Sequence, residues 1–120
     1  MSYNLLRAED ADSYAHTEDW GQTSTLAGVE VGNAVGVTLG RALMKPGCSD
    51  PLHAHDNCEE IIYVLSGTLG CQIGDETVIL RKGDTLVVPA GLFHNRKNLG
   101  DAPAEVLVIF SSGRIESRLA

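Results

Sequence analysis

The sequence predicts an all-β fold, a sandwich or a barrel, on three observations. Thirteen glycines are spread among short apolar runs, a texture of strands joined by tight turns. Turn residues recur roughly every eight to twelve positions, the spacing of short-stranded β domains. No stretch sustains a 3.6-residue apolar period, so nothing beyond a helical turn is expected.

Taken in order, residues 1–25 read as an N-terminal arm. The run from Arg7 to Ser24 is acidic and polar, with Tyr14 and Trp20 as its only large apolar side chains. A single domain is expected over residues 26–112. Val35, Val37 and Leu39 alternate with Gly36, Thr38 and Gly40, a period of two that fits a half-buried strand ended by Lys45-Pro46-Gly47. Glu60 to Leu65 forms the next strand, and Ser66-Gly67 leads into Thr68 to Ile73 as a hairpin. Gly74-Asp75-Glu76 turns the chain into Thr77 to Leu80, and Arg81-Lys82-Gly83-Asp84 turns it again into Thr85 to Val88. Pro89 and Gly91 precede a strand near 92–97, and the apolar run from Glu105 to Ser111 is the last strand. Residues 113–120 read as a polar tail. The total is about eight strands, with no internal repeat and no low-complexity segment.

Composition bounds the function. A chain of 120 residues suits one domain, which at this size buries roughly two thirds of its unfolded surface and needs no disulfides. With 43% hydrophobic and 21% charged residues it is an ordinary globular mixture. Nine basic against sixteen acidic residues give a net charge of −7, which repels phosphate backbones and anionic lipid surfaces. Neither a nucleic-acid partner nor a membrane partner is expected. No run approaches the ~20 apolar residues of a spanning helix. Three cysteines, an odd number, and the absence of an apolar leader point to the reducing cytoplasm.

The chemistry lies with the histidines. His53-Ala54-His55 is an H-x-H pair, followed by Glu59-Glu60, and His94 stands on a later strand. On a strand such a pair shares one face, with the backbones about 6.6 Å apart. Both rings can lean towards one ion, and a third imidazole with one carboxylate completes a set suited to a divalent transition metal, with positions open to water or substrate. A lone histidine is as readily a hydrogen-bonded structural residue; the spacing is what strengthens the metal reading.

From Gly47 the chain runs five residues to His53-x-His55, four to Glu60 and six to Gly67. Later, Gly83 is followed by five residues, Pro89-x-Gly91, two residues, His94, three residues and Asn98. This pattern resembles both sequence motifs of the cupin superfamily at every defining position, over residues 47–98, with fifteen residues (68–82) between them. The resemblance implies a double-stranded β-helix, or jelly-roll barrel, in which His53, His55, Glu60 and His94 are the ligands of one metal ion per chain: iron, manganese, nickel, zinc or copper. Glu60 keeps the spacing to Gly67 that the motif requires. Its neighbour Glu59 would break that spacing and points to the opposite face of a strand. The loop Asp56-Asn57-Cys58 absorbs the change of parity after His55.

For the pocket wall, Arg96 is the first candidate. It shares the parity of His94, and its planar fork can grip a carboxylate at two points; the alternative is a head group bent out to solvent. Arg41, Tyr63, Gln72 and Phe93 are the further candidates. Cys58 is either a redox-sensitive or ligating thiol or a small buried side chain. The family's chemistries imply a metal-dependent enzyme on a small polar or anionic molecule. A sugar or uronate derivative, or a keto or enol acid, fits isomerase, lyase or dioxygenase chemistry. The alternative is a non-catalytic small-molecule-binding or sensing cupin. Family members of this size also imply a homodimer.

Overall fold

A computed structural model describes residues 2–120. After a 3₁₀ segment at Ala8–Tyr14 come β1 (Ala15–Glu18), β2 (Gly21–Ala27), β3 (Thr38–Met44), β4 (His53–Ala54), β5 (Glu60–Ser66) and β6 (Leu69–Ile73). They are followed by β7 (Glu76–Leu80), β8 (Thr85–Val88), β9 (Lys97–Asn98), β10 (Ala104–Phe110) and β11 (Arg118–Leu119). The six-stranded sheet has the order β1-β2-β3-β10-β5-β8. Opposite it lie β7-β6-β9 and the short pair β11-β4, and every pairing is antiparallel. The predicted all-β jelly roll is what forms.

The core sits between the sheets. Ala104, Val106, Val108 and Phe110 of β10, Ile62 and Val64 of β5, and Ala42 and Met44 of β3 meet Leu69, Cys71 and Leu80 from the smaller sheet. β10 is apolar apart from Glu105; it runs between β3 and β5 and its second face is half-buried as well.

Five expectations change on folding. The Val35-Val37-Leu39 alternation is on the wrong parity: Val35 is 90% and Val37 42% exposed, and the strand begins only at Thr38. Its buried face is carried by Thr38, Gly40, Ala42 and Met44, the first three of them small residues with little hydropathy. A Cβ at Gly40 would come within 2.9 Å of Val108 Cγ2, so the site requires a minimal side chain.

The second change is at residues 60–73, which are not a hairpin. β5 pairs with β10 and β8, whereas β6 pairs with β7 and β9. The chain crosses between sheets at Gly67, whose φ of +94° is open to glycine and whose added Cβ would lie 2.7 Å from that of Ala104.

Third, the strand expected near 92–97 reduces to isolated bridges at His94 and Lys97 and the two-residue β9, because the Pro89–Gly91 bend redirects the chain. The N-terminal stretch is the fourth. Much of it is not an arm, since residues 15–27 add β1 and β2 to the large sheet and Trp20 packs on the core. Last, the polar tail contains β11, which pairs with β4.

Candidate metal centre

The motif residues reach one point from three directions. β4 carries His53 and leads directly into His55, the first residue of β5 is Glu60, and His94 follows the Pro89–Gly91 bend. Gly91 N–H donates to the His55 carbonyl at 2.8 Å, which ties that bend to the H-x-H segment. Metal-ligating atoms of His53, His55, Glu60 and His94 all lie within 4.8 Å of one another. Glu60 is buried, and Glu59 is exposed with its N–H on the Ser111 hydroxyl. Asn98, also buried, donates to the Met44 and Ala102 carbonyls and accepts from Gly100 N–H, so it braces a turn.

All three imidazoles are turned the same way. His53 Nδ1 is 2.7 Å from the Pro51 carbonyl, His94 Nδ1 is 2.9 Å from that of Leu92, and His55 Nδ1 is 3.2 Å from that of Glu116. A carbonyl only accepts, so each Nδ1 carries the hydrogen and Nε2 is the ring nitrogen left for the centre. His94 Nε2 lies 2.8 Å and His55 Nε2 3.4 Å from the same carboxylate oxygen of Glu60.

Such an approach needs a cation between the partners. Burial by itself would raise the Glu60 pKa, but the bonds from His55 and His94 and the charge of Arg96 prevail and hold it well below the carboxylate range. For His94, burial pulls downward, and the Glu60 and Leu92 hydrogen bonds prevail to raise it. His53 is lowered, chiefly by burial. The His94–Glu60 contact thus favours a proton between the two, and a divalent ion suits the same three nitrogens and one oxygen.

The cluster opens into a cavity of about 430 Å³. His53, His55 and Glu60 line it, together with Trp20, Asp50, Arg96, Val108, Phe110, Ile115 and Ser117. Arg96 is buried and lines the cavity. Its Nη2 donates to Asp50 Oδ2 at 3.2 Å, its backbone N–H donates to Asp50 Oδ1 at 2.6 Å, and its guanidinium lies 5.9 Å from the Trp20 ring centroid. Nη1 has no hydrogen-bond partner among the described residues. Burial works against the charge of Arg96, and Asp50 and Glu60 more than restore it.

The other pocket candidates divide. Arg41 lines the cavity margin, with its side chain half-exposed and paired with Glu105. Tyr63, on the outer parity of β5, and Gln72 are both exposed. Phe93 packs beneath the Arg118 guanidinium at 4.6 Å. None of these last three lines the cavity. Cys58 is buried, and burial raises its pKa, so it lies on the side of the small core residue. Asp50 and Ser117 were not singled out from the sequence. An internal acid was to be expected beside a buried arginine, but no local pattern distinguishes Asp50, and nothing marks Ser117.

Comparison with known proteins points the same way. The family model described as "Cupin domain" matches residues 40–110. A germin-like protein (subfamily 2 member 1) of Arabidopsis thaliana is 40% identical over 87 residues, which cover 67% of this chain and 39% of the relative. An auxin-binding protein of Prunus persica is 39% identical over 85 residues, covering 67% and 41%. The chain thus spans about two fifths of the length of these curated relatives. Among solved structures, a recombinant oxalate oxidase in complex with glycolate superposes with a TM-score of 0.76 at 27% identity, over 86% of this chain and 56% of that one. The Lactobacillus farciminis oxalate decarboxylase formate complex gives 0.81 at 22% identity, over 88% and 32%, a likeness of fold.

Proposed function

This chain belongs to the cupin family, and from that premise we propose that it is a metal-dependent enzyme acting on a small oxygen-chelating carboxylic acid. One observation carries the reading: Arg96, a buried guanidinium whose Nη1 has no hydrogen-bond partner among the described residues, lines the same cavity as His53, His55 and Glu60 of the ligand cluster. A buried guanidinium nitrogen without a partner is costly, and an incoming carboxylate oxygen satisfies it. Oxalate oxidase, in complex with glycolate, supports this substrate class.

In this reading the four side chains hold one divalent ion, which when bound supplies Lewis acidity and, as iron or manganese, redox chemistry. Arg96 orients the acid, with Asp50 holding the guanidinium in place from the other side. Trp20, Val108, Phe110 and Ile115 wall the cavity with apolar surface that limits water. A pair of chains in solution is part of the same proposal.

The test is elemental analysis of protein purified without chelators or a histidine tag, followed by turnover assays on hydroxy, keto, dicarboxylic and uronic acids with each candidate metal. One equivalent of metal and turnover of an acid are expected. Failure to take up any divalent ion defeats the proposal. A second reading, a non-catalytic binding cupin, is favoured by the auxin-binding relative. It predicts saturable binding of an acid with no turnover under any metal.

A further inference from the structure

We propose that residues 115–119 are a strap that positions His55 for metal binding, with the Glu116 carbonyl and the Ser117 hydroxyl as positioning groups. The inference rests on the metal-binding reading above. Two of the three imidazoles are oriented locally: His53 and His94 each donate from Nδ1 to the carbonyl two residues earlier, that of Pro51 and of Leu92. The equivalent acceptor for His55 is the carbonyl of His53, which already receives the His94 N–H at 2.8 Å. His55 turns instead to the far end of the chain, where Nδ1–H meets Ser117 Oγ at 2.9 Å and the Glu116 carbonyl at 3.2 Å.

The strap is clamped by the loop between two ligands. Asn57, lying between His55 and Glu60, donates from Nδ2 to the Arg114 carbonyl at 2.8 Å and accepts Glu116 N–H at 3.0 Å. Asp56 takes the Arg118 guanidinium at 2.6 and 3.1 Å. Arg118 and Leu119 pair with Ala54 and His53, and Ala120 N–H donates to the Leu52 carbonyl at 3.1 Å. Residues 114–120 are exposed and take no part in the hydrophobic core. Hydrogen bonds hold the strap, so its loss is felt at His55 before it is felt by the fold. Partners of this kind typically change metal affinity by about 10- to 100-fold when removed.

The experiment uses Co²⁺ as the probe, with affinity measured by chelator competition and geometry by the d–d absorption band. Deletion of residues 115–120 is expected to weaken Co²⁺ binding about 10- to 100-fold and to alter the band. Arg118→Ala is expected to speed Co²⁺ release several-fold. Both should leave the unfolding temperature of the metal-free protein nearly unchanged. Ser117→Ala is expected to show part of the affinity loss and Ser117→Thr to restore it. A folded deletion variant with wild-type affinity and spectrum overturns the inference. If the deletion does not fold, Arg118→Ala decides, and unchanged release overturns it. Wild-type protein that takes up no Co²⁺ removes the metal reading and the strap together. Wild-type uptake with indifferent variants removes only the strap.

Discussion

His53 and His94 exchange both backbone hydrogen bonds, His53 N–H donating to the His94 carbonyl at 3.0 Å and His94 N–H donating back at 2.8 Å. The two motifs are thereby joined main chain to main chain at their ligands. Directly opposed residues of this kind hold their Cα atoms about 5.5 Å apart, and the two ring centroids here are 4.4 Å apart. The spacing between these ligands is a property of the backbone, so substituting one side chain leaves the others in place.

The first prediction follows from that rigidity. His94→Ala and Glu60→Gln should each lower metal affinity roughly a hundredfold or more while the fold survives, because each removes a donor from a preformed set. Glu59→Gln should change nothing, since Glu59 is exposed. Metal content after dialysis and chelator competition distinguish them. Loss of metal in Glu59→Gln with retention in Glu60→Gln would reverse the assignment.

Arg96→Met should cost about 3 kcal/mol of stability, because it strands the buried Asp50 carboxylate without its cation. Arg96→Met with Asp50→Leu should recover most of that loss, which urea unfolding of the three proteins measures. In the double variant the affinity for acidic ligands should still be reduced and metal content unchanged. Undiminished binding of acids would detach Arg96 from substrate recognition.

The metal-free protein should be most stable in mildly acidic solution. Glu60 is lowered on folding, so its contribution is present above its ordinary value of 4.5 and is lost as pH falls below it. His94 is raised, so its contribution is full below 6.5 and is lost as pH rises through its higher folded value. The window between these limits is where the pair stabilises most. Thermal unfolding across pH should peak there, and Glu60→Gln should flatten the peak; an unaltered profile in that variant would discount the pair.

Gly67→Ala should cost about 1–3 kcal/mol, from the positive φ and the close approach to Ala104 at the sheet crossing. Gly47→Ala, also at positive φ but with open space around its Cβ position, isolates the backbone share of that cost. Equal losses in the two would show that packing against Ala104 contributes nothing.

The all-β class was legible in the residues alone, and the four converging side chains in the resemblance of their spacing to the cupin motifs. Glycines and short apolar runs declare strands and turns locally, and the places of His53, His55, Glu60 and His94 are encoded as distances along the chain from Gly47, Gly67 and Gly83. The choice of Glu60 over Glu59 rests on the motif spacing to Gly67, with parity adding that only one of the two neighbours can reach the ion. At β3 hydropathy points to the wrong face. The inner face of β3 is Thr38, Gly40, Ala42 and Met44, and the more apolar alternation began outside the strand, at Val35 and Val37.

Tertiary structure alone decided three things: that β5 and β6 lie in different sheets, that Asp50 is the partner of Arg96, and that the C-terminal segment braces His55. Each depends on contacts between residues far apart in the chain. The strap in particular is held partly through main-chain groups that every residue possesses, and the partners of its Ser117 and Arg118 side chains lie far away in sequence, so it reads only as a polar tail. Ligand spacing is a one-dimensional quantity, whereas the groups that orient and compensate those ligands are selected by proximity in the folded chain.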